Sequence, residues 1–252
     1  MRLVGLGLAA AALLAGTSSF AQAPVAVAPL AAEVTSDLPR TAAPSHYAIE
    51  IEPDARALTF KGESSVDLQV FEATVELVLH ANDLKIAEAS LAPLNGDGAT
   101  IPLTVSLDPD KQLARFTAAQ PIAPGAYRLM ARYTGTINTQ ANGLFALDYS
   151  DAATGEPRRG LFTQFEAPDA RRFAPMFDEP SYKATFDLSA TVPARHMAVS
   201  NMPVEREQVL ADGRKHVTFL RPPESASSRA TGMLLTAICS AGTIAERSKV
   251  AL

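Results

Sequence analysis

The sequence predicts an all-β fold, an antiparallel β-sandwich or saddle, and three observations carry the prediction. Apolar residues recur with period two in segment after segment. Clusters of turn-forming residues separate those segments. Beyond the N-terminal stretch, no window of about 12 residues or more repeats with the helical period of roughly 3.6. In an extended chain, side chains two apart share a face, so alternation places every second residue in a core between sheets.

Taken in order, the chain begins like a secretory leader over residues 1–23. Arg2 supplies the positive start, residues 3–16 are small and apolar, and Ala21, Gln22 and Ala23 form a small-x-small cleavage signature. The apolar core of about 14 residues falls short of the roughly 20 that a spanning helix needs. No stable membrane span is expected there or later. Gly5 and Gly7 fall inside this leader and are not read as a nucleotide loop. Residues 24–37 are rich in Ala, Pro and Val without a clear period, and read as a flexible linker.

The folded domain is expected over 38–220. Tyr47, Ile49 and Ile51 share one face of the first strand; Val66, Leu68 and Val70 do so in the next, then Val75, Leu77 and Leu79. Ile101, Leu103, Val105 and Leu107 follow, then Tyr127, Leu129, Ala131 and Tyr133. Phe186, Leu188, Ala190 and Val192 continue the series, and Val217 with Phe219 closes it. Turn signals lie between: Pro53 and Asp54, the NGDG run at 95–98, Asp108 to Asp110 around Pro109, Pro124 and Gly125, Asp212 and Gly213. Residues 221–252 lose the pattern. They open on Pro222 and Pro223 and contain only a short isolated apolar run at 233–238, so a divergent tail outside the core is expected.

Composition narrows the function classes. A net charge of −5, spread without blocks, gives no basis for nucleic-acid binding. One cysteine, Cys239, excludes an internal disulfide. Export without disulfides points to a bacterial periplasm. The histidines His46, His80, His196 and His216 show no pair at i and i+4, so no helix-borne zinc site is expected and the metal-ligand prediction is none. His80 is expected as a satisfied residue at a strand edge. No Gly-x-Ser-x-Gly elbow is present, and no His neighbours Cys239 in sequence.

Chemistry concentrates at 160–186. Gln164, Glu166, Asp169, Arg171, Arg172, Asp178, Glu179 and Lys183 are interleaved there with Phe162, Phe165, Phe173, Phe177 and Phe186. Charges among aromatics are either paired or aimed at a ligand. Asp178 and Glu179 precede Pro180, which favours extended geometry and opposite orientations. For them, pairing with Arg171, Arg172 or Lys183 is expected. Gln164 and Glu166 lie two apart and project from one face. A carboxylate on such a face pairs with a cation while the amide orients it. Structural pairing and ligand binding both remain open for Glu166 on the residues alone.

The run TQFEAPDARRFAPMFDEPSYKATF at 163–186 closely resembles the substrate-side segment of the aminopeptidase N-like zinc metallopeptidases. The resemblance extends from about residue 38 to 220. It takes in LP at 38–39, PSHY at 44–47, FKG at 60–62, LHANDL at 79–84, YRL at 127–129, YTG at 133–135, NGLF at 142–145 and VSNMP at 199–203. It implies an N-terminal β-saddle domain lying on a zinc-bearing catalytic domain. It also implies that Glu166 holds the free α-amine of a peptide substrate and that Gln164 lines the pocket for its first side chain. The family's Gly-x-Met-Glu-Asn, its His-Glu-x-x-His with the third zinc ligand, and its catalytic tyrosine have no counterpart here. The expectation is therefore a substrate-anchoring domain cut off before its catalytic domain, inactive and without cofactor alone. Zinc and the missing domain are expected in the full-length enzyme, and a frameshift or early stop near Arg221 is expected in the encoding DNA. A stand-alone non-catalytic β-sandwich adaptor is the alternative. A carbohydrate-acting carboxylate pair finds no support in the residues.

Overall fold

The computed structural model describes residues 27–96 and 98–221, together with the backbone of 235–240. The expected leader and most of the expected tail lie outside the described residues. The strands are β1 (Ala42–Asp54), β2 (Thr59–Val70), β3 (Thr74–His80), β4 (Leu84–Pro93), β5 (Ile101–Asp108), β6 (Leu113–Ile122) and β7 (Gly125–Thr136). They continue as β8 (Gly143–Ser150), β9 (Pro157–Gln164), β10 (Thr185–Pro193), β11 (His196–Ser200), β12 (Val204–Val209), β13 (Arg214–Phe219) and β14 (Leu235–Ser240). Among the described residues the single helical element is a 3-10 turn, Ala170–Arg172. No helix there is long and apolar enough to cross a membrane. The chain is all-β, as its alternation predicts.

Ten strands form one sheet in the order β12-β13-β10-β1-β2-β7-β4-β5-β6-β3, and four form a second, β11-β14-β9-β8. Pairing is antiparallel except between β1 and β10, which run parallel from His46↔Thr185 to Ile51↔Ala190. That single parallel pair departs from the purely antiparallel expectation. The connection from β1 to β10 runs through β2 to β9, which gives the long crossover that a parallel pair requires.

β2 shows how residue type makes the sheet. Phe60, Gly62, Ser64, Val66, Leu68 and Val70 are buried, and each intervening residue is more exposed. Burying each of the larger apolar side chains contributes about 1.5–3 kcal/mol. Gly62 stands opposite Tyr133 on β7, and a Cβ on it would lie 2.3 Å from the Tyr133 ring. Gly135, opposite Phe60, would likewise place a Cβ 2.3 Å from the Phe60 ring. Each glycine leaves room for the aromatic across the ladder, and the two rings meet edge to face at 6.4 Å.

Two alternating runs are less regular than expected. Val75 is 49% exposed while Val78 is buried with Leu77 and Leu79, so β3 switches from a one-sided strand to one covered on both faces. On β5 Leu107 is 42% exposed, and Ile101 and Val105 are only partly covered. β5 joins β4 only at Ser90↔Pro102 and Leu91↔Ile101, so its far end loses the neighbour that would cover it.

Part of the segment before β1 lies against the domain. Val27 and Leu30 pack against the core. The Arg40 guanidinium donates to the carbonyls of Ala31 and Val34. In the expected tail, β14 pairs with β11 and β9 and so completes the second sheet.

Candidate functional site

β9 delivers the site. Alternation along it buries Leu161 and Thr163 and turns Phe162 and Gln164 to the outer face of the four-stranded sheet. Phe165 turns inward, its ring 5.2 Å from that of the fully buried Phe173, which in turn stacks on Phe60 at 6.0 Å. Glu166 points out again, exposed like Gln164. β9 ends at Gln164, and Glu166 lies in the turn just beyond it. Among the described residues no hydrogen bond or ion pair engages either side chain.

The chain just beyond is held tightly. The Asp169 N–H donates to the Phe165 carbonyl at 2.9 Å and closes the turn. The Glu166–Ala167 peptide is cis. Arg172 donates to the Asp169 carboxylate at 2.8 Å and also meets Asp83. Gly143 pairs directly with Gln164 across the β8–β9 ladder, at φ +61° and with a hypothetical Cβ only 2.9 Å from the Cβ of Arg172. Only glycine fits both that conformation and that gap. Gly143 thus lets the charged turn press down onto the strand that carries Gln164.

The carboxylates at 178–179 divide. Asp178 accepts from Arg171 Nε at 2.9 Å, and Arg171 also donates to the Asp178 carbonyl and to Gln112. That is the structural pairing expected of it. Glu179 corrects the expectation: its Oε1 accepts the backbone N–H groups of Asp37 at 2.8 Å and Leu38 at 3.2 Å rather than a cation. Phe177 donates its N–H to Tyr47 Oη at 3.0 Å, and burial raises the pKa of that phenol, so it stays a neutral acceptor.

The histidines sit on four different strands: His46 on β1, His80 on β3, His196 on β11 and His216 on β13. His46 lies against Asp187 at 3.2 Å and Thr185 at 2.8 Å, and His216 against Glu50 at 3.4 Å. His80 ends β3 as expected, but it is 2% exposed with Nδ1 unpartnered among the described residues, so it is not a satisfied edge residue. The Met176 backbone covers it by exchanging both hydrogen bonds with it.

Around Gln164 and Glu166 the outer face of the second sheet is apolar. Phe145 pairs with Phe162, rings 5.9 Å apart. Leu147 is 52% exposed and Met197 45%, and Tyr149 and Val199 are exposed with them. An exposed carboxylate and amide at one end of such a face can hold a cation beside an apolar body. Sequence reasoning missed this setting, and also the roles of Gly143 and Phe173. The NGLF run at 142–145 was the available signal for Gly143.

Residues 43–228 match the peptidase M1 N-terminal domain. The aminopeptidase N of Acetobacter pasteurianus is 36% identical over 218 residues, 84% of this chain and 59% of its own length. Aminopeptidase M1-D of Oryza sativa is 38% identical over 172 residues, 68% of this chain and 19% of the relative. The puromycin-sensitive aminopeptidase of Caenorhabditis elegans is 36% identical over 200 residues, 79% of this chain and 21% of the relative. The chain thus spans between a fifth and three fifths of the length of these relatives. With the β architecture and the 160–186 segment both accounted for, the chain belongs to the peptidase M1 family, through its N-terminal domain.

Proposed function

We propose that this domain anchors the free N-terminus of a peptide for an exported aminopeptidase. The Glu166 carboxylate pairs with the substrate α-ammonium, and Gln164 lines the pocket for the first side chain. A carboxylate that must pair with one ammonium restricts the enzyme to chain ends. The observation that carries the reading is that Gln164 and Glu166 are exposed and, among the described residues, unengaged at the end of an apolar sheet surface. Relatives named as aminopeptidases support the peptide as substrate class. An adaptor that had left catalysis behind would be expected to cover its old contact face with polar residues, whereas here that face is apolar.

The catalytic zinc that the resemblance implies does not fit the residues present. Its centre takes two histidines four apart on one helix, and the four histidines here are dispersed over four strands. No step is derived through zinc on this chain, and by itself the domain holds peptide ends without cleaving them. Export, with the periplasm as destination, rests on the leader-like residues 1–23.

The test is Glu166→Gln in an enzyme rebuilt by joining this chain to a family catalytic domain. Breaking a desolvated charge pair on one side costs about 2 kcal/mol or more, so kcat/KM is expected to fall roughly 30-fold or further. Unchanged kinetics would overturn the assignment.

A further inference from the structure

Three residues far apart in sequence meet where β3 ends. One ring nitrogen of His80 and one carboxylate oxygen each of Asp37 and Glu179 lie within 4.8 Å of one another. His80 is buried, and its Nδ1 has no partner among the described residues. Glu179 commits Oε1 to the Asp37 and Leu38 N–H groups, which leaves Oε2, also shielded from solvent and also without a partner there. Buried polar atoms normally find partners; here two that lack one belong to the same cluster. Arg171, the nearby cation, is already engaged by Asp178 and Gln112.

We propose that Asp37, His80 and Glu179 form a site for a divalent transition ion of the Zn2+ class. One imidazole and two carboxylates are donors such an ion accepts, and its charge balances theirs. The site is a clasp rather than a hydrolytic centre. It ties the chain entering β1 to the end of β3 and to the loop after Met176. The Glu179 clamp on the backbone of residues 37 and 38 sets two of the three ligands in place before the ion arrives.

The test uses the full chain, stripped with a chelator, dialysed and titrated with Zn2+ alone against a chromophoric indicator. One saturable site is expected, together with a thermal midpoint that rises with Zn2+ concentration. His80→Asn is expected to weaken it at least about tenfold. Asp37→Ala is expected to do the same. The Asp37 side chain is exposed, so that variant keeps its fold, which circular dichroism verifies, and it decides the matter if His80→Asn does not fold. His46→Asn, His196→Asn and His216→Asn are expected to leave the site unchanged. A wild-type chain without a saturable site, or a site indifferent to Asp37→Ala in folded protein, would overturn the proposal.

Discussion

At the scale of single residues, the acidic side chains of the 160–186 segment separate by what they touch. Asp178 and Arg171 are mostly covered, with side chains 16% and 12% exposed. Removing one partner of such a pair leaves the other charge shielded and uncompensated, at a cost of about 3 kcal/mol. Asp178→Asn is therefore expected to lower the urea midpoint clearly, while Glu166→Gln leaves it nearly unchanged; the reverse order would undo the division between structural and anchoring carboxylates. Asp187 answers to pH. Burial alone would raise its pKa, but hydrogen bonds from Arg221 and His46 outweigh that and hold it well below the usual carboxylate range. Its folded value being depressed, its contribution to stability is complete above the unfolded value of about 3.9 and is lost as pH falls toward the folded value. Urea melts between pH 5 and pH 2 should thus fall more steeply in wild type than in Asp187→Asn. Equal slopes would mean the pair contributes nothing.

At the scale of elements, the β2–β7 ladder depends on two reciprocal gaps, Gly62 under Tyr133 and Gly135 under Phe60. Gly62→Ala forces a methyl against a buried ring and is expected to cost about 1–3 kcal/mol by overpacking. The same change at Gly213 meets no atom within 4 Å, but its φ of +81° still disfavours alanine, by about 1 kcal/mol. Adding Tyr133→Leu should return part of the Gly62→Ala loss and none of the Gly213→Ala loss. Chemical denaturation of the four variants checks this, and equal rescue at both sites would refute the steric account.

At the scale of the whole molecule, the second sheet carries its core on one face and an apolar surface on the other. Leu147, Tyr149, Met197 and Val199 lie exposed there beside Phe145 and Phe162. Apolar area hidden from water is worth about 25 cal/mol per Å2, so the isolated chain is expected to self-associate through this face. Leu147→Lys with Val199→Lys should shift sedimentation toward monomer without lowering the thermal midpoint. A wild-type chain that stays strictly monomeric at high concentration would favour the adaptor reading over an anchoring domain that works against a larger partner.

The sequence by itself determined the all-β class, because period-two burial is a local property that β1, β2, β7, β10 and β13 each display within their own residues. It also paired Asp178 with an arginine seven residues away. Strands without a clean alternation were not legible: β12 is exposed throughout, and β4 mixes both faces. Only the tertiary structure decided the parallel β1–β10 pairing, the clamp of Glu179 on a backbone 142 residues distant, and the meeting of Asp37 with His80. The physical reason is one of range. Alternation and turn chemistry act between near neighbours, whereas these contacts form only after sheet order has brought remote segments to one place.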